Sequence, residues 1–149
     1  MTVFLVMRCF LISLFALGGS SSNKQPQNKF VTCTVSFDSL TVHPGSKGAL
    51  LLMLKPREGI HINIEPRPTF VFDSSSVVTA DGKIEVTHGD SSAFLSKQKP
   101  MKQGFAIPIT AKTGTVTLKG ILTYYYCSDA EGWCSRFKQP VEATIEVNP

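Results

Sequence analysis

The sequence has few cysteines, no strong excess of charge of one sign and no long apolar run. Four cysteines in 149 residues are too few for a small domain held together mainly by disulfides. The 15 Lys and Arg residues exceed the 11 Asp and Glu residues by only four and are spread along the chain, which argues against a nucleic-acid-binding protein. The main apolar run, residues 9–17, is shorter than the roughly 20 residues that a membrane-spanning helix needs. An apolar content of 42% in a chain of this length suits one folded domain.

The first 19 residues have the pattern of a secretory signal peptide. Arg8 precedes the apolar run 9–17, and small residues follow that run. The alternatives are an uncleaved anchor or a wrongly assigned start. Cleavage near residue 19 predicts a periplasmic or secreted protein that is not an integral membrane protein once the signal is removed. The polar segment 20–29 is then predicted to be a disordered lead-in to a single domain, residues 30–149.

The residues after position 29 are typical of a β-protein. In 30–37, apolar and polar residues alternate with a period of two, as in a strand with one buried face. Further strands are predicted at 48–55, 60–64, 69–72, 77–80, 83–87, 104–111, 115–126 and 141–147. Asp81 and Gly82 predict a hairpin turn, and Pro66 and Pro68 place the two strands beside them at a sheet edge. No window has the pattern of a capped amphipathic helix, so the predicted fold is an antiparallel β-sandwich.

Three cysteines lie outside the predicted signal peptide: Cys33, Cys127 and Cys134. Six residues separate the last two, and Asp129 and Gly132 among them suit a hairpin loop. Cysteines that face each other across such a loop have Cα atoms about 4.5–5.5 Å apart, within the range that a disulfide needs. The bridge would close a short loop and contribute roughly 2.5 kcal/mol. If exposed, it is also open to attack by an outside thiolate. From these residues alone, a structural disulfide and a redox-active one are about equally favoured.

Two segments resemble the N-terminal domain of the thiol:disulfide interchange protein family DsbD. Residues 122–134 (LTYYYCSDAEGWC) are similar to its active-site hairpin, in which a tyrosine-rich strand leads to a cysteine, a loop with Asp, Ala, Gly and an aromatic residue, and a second cysteine. Residues 58–63 (EGIHIN), followed by Pro66, are similar to a glycine-containing segment with a His-Ile pair in that family. The two blocks occur in the same order as in the family, so the resemblance extends over about 30–147.

The resemblance implies an immunoglobulin-like β-sandwich and a role in electron transfer. The exported domain of that family takes two electrons from a membrane-embedded electron carrier and passes them to thioredoxin-like proteins. By this resemblance, Cys134 would form the mixed disulfide with the partner, and Cys127 would resolve it. We also expect a stand-alone module whose electron donor is another polypeptide, because the chain ends at Pro149.

Three features depart from the family pattern. The loop between the cysteines is one residue longer, and Ser135 to Phe137 stand where the family often has an aromatic residue and prolines. The cap loop of the family has an acidic pair before a phenylalanine, and the nearest match here is 89–94 (GDSSAF). That match suggests Phe94 as a cap over the cysteines and Asp90 as a proton acceptor, although both residues are also typical of an ordinary loop.

Other candidate residues have simple structural explanations. Cys33 falls on the apolar side of its strand, which favours a buried inert thiol over a third redox cysteine. Trp133 and the tyrosines at 124–126 suit either a docking surface or the core. A metal site at Cys127 and Cys134 lacks further ligands at zinc spacing, so neither a metal nor another cofactor is predicted.

Charged residues lie on both sides of Cys134 in the sequence: Asp129 and Glu131 precede it, and Arg136 and Lys138 follow it. Their effects on the acidity of Cys134 oppose one another, so the direction stays open. Two functions from different classes therefore stand side by side. One is thiol–disulfide exchange through Cys127 and Cys134. The other is a non-catalytic role as an immunoglobulin-like binding or assembly domain, in which the disulfide only stabilises a hairpin.

Overall fold

The computed structural model describes residues 26–149, which form nine β-strands. They are β1 (Val31–Phe37), β2 (Thr41–Val42), β3 (Lys47–Pro56), β4 (Ile60–Ile62), β5 (Thr69–Phe72), β6 (Thr79–Glu85), β7 (Met101–Ala106), β8 (Gly114–Ser128) and β9 (Trp133–Val147). The predicted signal peptide, 1–19, and the first part of the predicted lead-in, 20–25, lie outside the described residues. Within 26–149, no helix is long and apolar enough to cross a membrane.

The strands form two facing sheets. One sheet has the order β1–β3–β7–β6, and the other has the order β2–β9–β8–β4, with β5 also paired to β8. Neighbouring strands run antiparallel except for the short parallel pair of β2 and β9. The strands flanking Pro66 and Pro68, β4 and β5, lie at the edge beside β8, as their prolines predict. The predicted immunoglobulin-like antiparallel β-sandwich is confirmed.

The core lies between the sheets and fixes which side of each strand faces outward. Its largest fully buried side chains include Tyr124, Phe105, Leu50, Leu52, Leu118 and Leu122. Because side chains alternate along a strand, the even-numbered residues of β8 from Leu118 to Tyr126 face this core. The odd-numbered residues, among them Ile121 and Cys127, therefore lie on the outer face of the sheet.

The hairpin predicted over 77–87 is wrong. Thr79–Glu85 form one strand, β6, which pairs with β7 on both sides of Asp81 and Gly82. The register of that pairing shifts between Asp81 and Glu85, and Gly82 has a φ of 78°. A glycine with positive φ fits a β-bulge as well as a hairpin turn. Because β7 pairs with β6 on both sides of Gly82, this glycine lies in an irregularity within one strand and not in a hairpin turn.

The end of the predicted lead-in contacts the sandwich. Asn28 is buried, and its Nδ2 donates a hydrogen bond to the Tyr124 hydroxyl at 3.2 Å. The backbone N–H of Phe30 donates to Oδ1 of the same asparagine at 2.9 Å. The folded domain therefore begins before residue 30 and includes Asn28.

Candidate functional site

The β8–β9 hairpin brings Cys127 and Cys134 directly opposite each other. The two strands pair without interruption from Gly114 with Val147 to Ser128 with Trp133. Gly132, with a φ of 68°, closes the turn and donates its N–H to the Ser128 carbonyl. The predicted disulfide is confirmed, with an S–S bond of 2.01 Å and Cα atoms 4.1 Å apart. That separation is slightly shorter than the predicted one of about 4.5–5.5 Å.

Three strands place a row of chemically active side chains on the outer face. His61 of β4 is the register partner of Cys127, and Cys127 is the register partner of Cys134. In the adjoining row, Asn63 donates its backbone N–H to the carbonyl of Tyr125, whose register partner is Arg136. The segment 58–63 and the cysteine hairpin, which are about 60 residues apart in the sequence, are therefore neighbours in the sheet.

The two cysteines differ sharply in their exposure to solvent. Cys127 is only 4% exposed, whereas Cys134 belongs to the exposed residues of β9. Nδ2 of Asn63 donates a hydrogen bond to the Cys127 sulfur at 3.3 Å. Of the two residues, Cys134 is therefore the one that an incoming thiolate can approach from solvent, while Cys127 lies against the protein.

His61 connects the disulfide to the hairpin loop and to the segment 89–94. Its Nδ1 lies 3.3 Å from Oδ2 of Asp129, and its ring centroid lies 3.9 Å from that of Phe94. The His61 side chain is 13% exposed, but that of Asp129 is 82% exposed. Because solvent screens the carboxylate, this pair orients the imidazole more than it stabilises the fold, contributing about 1 kcal/mol at most.

Phe94, the proposed cap, packs against His61 and lines the same cleft as the two cysteines, whereas Asp90 does not line that cleft. The segment 89–94 closes on itself through the Gly89 N–H to Phe94 carbonyl bond and lies against the β4 edge. Phe94 helps to line an open cleft of about 570 Å³ that also includes both cysteines, His61 and Asn63. Asp90 lines a second cleft, which shares Phe94 and His61 with the first. The nearest carboxylate that the structure brings to His61 is that of Asp129, not that of Asp90.

The aromatic residues of the hairpin belong mainly to the core. Tyr124 and Tyr126 are buried, so these two residues belong to the core and not to a docking surface. Burial raises the pKa of the Tyr124 hydroxyl, and the hydrogen bond from Asn28 opposes that shift. Trp133 is half-buried and packs against the rings of Phe30 and Tyr126, with centroids 5.1 and 5.8 Å away. Trp133 also lines the cleft that includes both cysteines.

The charged residues around the pair are divided between different partners. Asp129 pairs with His61, and Glu131 accepts a hydrogen bond from Nε1 of Trp133. Arg136 and Lys138 are exposed residues of β9 at even-numbered positions, as is Cys134, and therefore share its outer face. Within 26–149, no group of three or more His, Cys, Asp or Glu side chains is arranged to hold a metal ion.

Cys33 is the free cysteine of the described residues, and its half-buried side chain packs against the core. Burial raises the pKa of its thiol from 9.0 to about 11. The folded protein therefore keeps a proton that the unfolded chain loses at lower pH. We expect the free energy of unfolding to be unaffected below about pH 9 and to fall by about 2–3 kcal/mol as the pH rises towards 11.

Denaturant titrations of the wild type and Cys33→Ala over this pH range test that expectation. The decline attributable to Cys33 should be missing in the variant, so the difference between the two stabilities should grow with pH. Samples are checked for disulfide rearrangement, because an unfolded Cys33 thiolate can attack the bridge. Parallel pH curves for the two proteins would contradict a buried thiol at this position.

Sequence reasoning did not assign individual roles to His61 or Asn63. One signal was present, because the alternation in 60–64 places both polar side chains on the side opposite the isoleucines. What was missing was the register between β4 and β8, which sets His61 beside Cys127. That register depends on the whole sheet and cannot be obtained from either segment alone.

Comparison with known proteins gives distant structural likenesses. No protein-family model matches the chain, and no curated protein matches it. A cohesin module from a family 33 glycoside hydrolase of Clostridium perfringens ATCC13124 is 12% identical, with a TM-score of 0.41 over 80% of this chain and 97% of that chain. The yeast GGA1 GAE domain (GGA1_GAE domain-P21) is 13% identical, with a TM-score of 0.35 over 83% and 96%. Likenesses this remote carry no inference about function.

Proposed function

We propose that this domain is an exported thiol–disulfide exchange module that works through Cys127 and Cys134. The observation that carries the proposal is the unequal exposure of the two cysteines, with Cys134 exposed to solvent and Cys127 buried beside it. Exchange needs one sulfur that an outside thiolate can reach and a second within bonding distance to complete the transfer. The pair has both properties at the tip of one hairpin.

The transfer has two steps. In the reduced domain, the Cys134 thiolate attacks a disulfide of the partner, forming a mixed disulfide and releasing one partner thiolate. The Cys127 thiolate then attacks the Cys134 sulfur, which forms the intramolecular bridge and releases the second partner thiolate. Two electrons pass to the partner, whose two thiolates take up two protons, while Cys127 and Cys134 are oxidised.

The resemblance to the N-terminal domain of DsbD supports thioredoxin-like proteins as partners and a membrane electron carrier as donor. The two resembling blocks are adjacent in the sheet, since His61 of the first is the register partner of Cys127 in the second. Phe94 of the cap-like segment borders the same cleft. A disulfide also suits the periplasmic or secreted location that the predicted signal peptide implies, because disulfides persist in oxidising compartments.

The hairpin gains little from a purely structural bridge. Fifteen register pairs already join β8 and β9, and the disulfide lies next to the last of them, Ser128 with Trp133. The loop that it closes is short, so the expected contribution to stability is only about 2.5 kcal/mol. This placement favours exchange over the alternative of a binding or assembly domain with a stapled hairpin.

A redox titration separates the two functions. The full chain is equilibrated with mixtures of reduced and oxidised glutathione, and the Cys127–Cys134 bridge is quantified by mass spectrometry after acid quenching. For an exchange module we expect a reduction potential above about −300 mV and a thioredoxin-like protein that reaches redox equilibrium with the pair. A potential well below that value, with no exchange, would support the structural staple instead.

A further inference from the structure

We propose that Asn63 is a third catalytic residue, whose amide stabilises the Cys127 thiolate while that thiolate resolves the mixed disulfide. The inference rests on the proposed exchange function and assigns a group that acts in its second step. Nδ2 of Asn63 donates to the Cys127 sulfur at 3.3 Å, so the amide touches a reacting atom. Its backbone is held in place by the bond from its N–H to the Tyr125 carbonyl at 2.9 Å.

The burial of Cys127 creates the need for such a donor. The thiolate, not the thiol, is the nucleophile, and burial disfavours the charged form. Cys127 has little contact with water, whereas Cys134 is solvated. A hydrogen bond from a neutral amide strengthens when its acceptor becomes charged, so Asn63 stabilises the thiolate more than the thiol.

Hydrogen bonding of the Asn63 carbonyl oxygen does not explain why an amide side chain stands at this position. Its Oδ1 is buried without a hydrogen-bond partner among the described residues. A buried polar atom left unpaired destabilises a fold, and an apolar side chain of the same size would avoid that cost. The amide is therefore explained by its contact with the sulfur rather than by the packing of β4.

The size of the expected effect follows from two opposing influences. A hydrogen bond to a charged group changes the thiolate fraction by between about tenfold and hundredfold. The intrinsic nucleophilicity falls as the thiolate is stabilised, with a Brønsted coefficient of about 0.4–0.5. Below the pH of full ionisation, loss of the amide should therefore slow the attack by Cys127 about three- to tenfold.

Oxidation of the reduced full chain by oxidised glutathione measures the two steps separately. Cys134 attacks glutathione disulfide and releases one glutathione, and Cys127 then displaces the second one from Cys134. Acid quenching and mass spectrometry follow the dithiol, the Cys134–glutathione adduct and the intramolecular disulfide. In Asn63→Leu, we expect an unchanged first step, a second step slowed about three- to tenfold, and accumulation of the adduct.

Two further variants separate hydrogen bonding from packing. Asn63→Asp keeps the shape but puts a negative charge beside the sulfur, so its second step should be slower than that of Asn63→Leu. Thr123→Val is a nearly isosteric change on the outer face of β8, and Thr123 makes no hydrogen bond to either sulfur. Both steps of this control variant should proceed at the wild-type rates. The titratable groups near the sulfur are His61 of β4, Asp129 of the hairpin loop and Glu65, which lines the same cleft. All three are retained in every variant, so rate ratios compare Asn63 alone.

The dependence on pH gives a signature that a loosened structure would not produce. The difference between wild type and Asn63→Leu should shrink as the pH rises, because Cys127 becomes ionised in both proteins. If the wild type is oxidised normally but Asn63→Leu keeps its second-step rate, or loses both steps equally, the role of Asn63 is overturned and the exchange function stands. If the wild type forms neither adduct nor disulfide, the exchange function fails, and the role of Asn63 fails with it.

Discussion

Replacing Cys127 with alanine is expected to convert a short-lived contact with a thioredoxin-like protein into a stable covalent complex through Cys134. The exposed Cys134 still performs the first attack. The second thiolate is missing, so the mixed disulfide cannot be resolved from this side. In the wild type, Cys127 lies opposite Cys134 with Cα atoms 4.1 Å apart and should complete the transfer quickly. We expect at least about a tenfold larger fraction of trapped complex in the variant.

The partner is prepared so that it cannot resolve the complex either. A thioredoxin-like protein with its second active-site cysteine replaced carries the remaining one as a disulfide with an aromatic thiol. Attack by Cys134 releases the aromatic thiolate, and the complex is quantified on non-reducing gels and located by mass spectrometry. The matched control is Cys134→Ala, which retains only the buried Cys127 of the pair, besides the half-buried Cys33 present in both variants, and should form little complex. Equal trapping by both variants, or by neither, would contradict the division of roles between the two sulfurs.

The unequal exposure of the sulfurs follows from where the hairpin lies in the sheet. Cys134 is on the strand whose outer face is open, and Cys127 is on the neighbouring strand, beside β4. His61 and Asn63 of that edge segment lie beside Cys127, and the ring of Phe94 packs against His61. Any partner that reacts with the bridge should therefore approach from the β9 side and meet Arg136, which shares that face.

Much of the fold could be predicted from local patterns. The alternation in 30–37 predicted β1, and the spacing of the cysteines predicted that Cys127 and Cys134 face each other in the β8–β9 hairpin. The failure at Asp81 and Gly82 has a physical cause, because an Asp-Gly pair supplies a positive φ for a turn and for a bulge alike. The strand that pairs with β6 is β7, which begins at Met101, so no local pattern could choose between them.

The site could be predicted only in part, for a related reason. The two cysteines of the disulfide are only seven residues apart, so their spacing in the sequence was enough to predict it. The contacts of Cys127 with Asn63, at a separation of 64 residues, depend on the register of β4 against β8. The proton acceptor suggested at Asp90 was chosen from a sequence match alone. The structure brings the carboxylate of Asp129 to His61 instead, and Asp90 faces the neighbouring cleft.

The location of the site on the outer face requires that β8 keep one register, and a pair of adjacent substitutions tests this directly. Leu122 is fully buried, whereas its neighbour Ile121 is 39% exposed on the face that carries Cys127. Truncating a buried leucine removes its transfer free energy and leaves a cavity, so Leu122→Ala should lower the free energy of unfolding by about 2–5 kcal/mol. Ile121→Ala removes a similar volume from a partly solvated position and should cost less than about 1 kcal/mol.

Denaturant titrations of both variants, with the disulfide intact, measure that contrast. Because side chains alternate with a period of two, a shift of one residue would exchange the two faces and move Cys127 into the core. Such a slip would reverse the order of the two free energies, and similar losses in both variants would mean that the outer face is covered. A slip of one residue would also remove the bridge from the outer face of the sheet. The expected order, with Leu122→Ala much the less stable, is therefore a condition for exchange at Cys134 as well as a property of the fold.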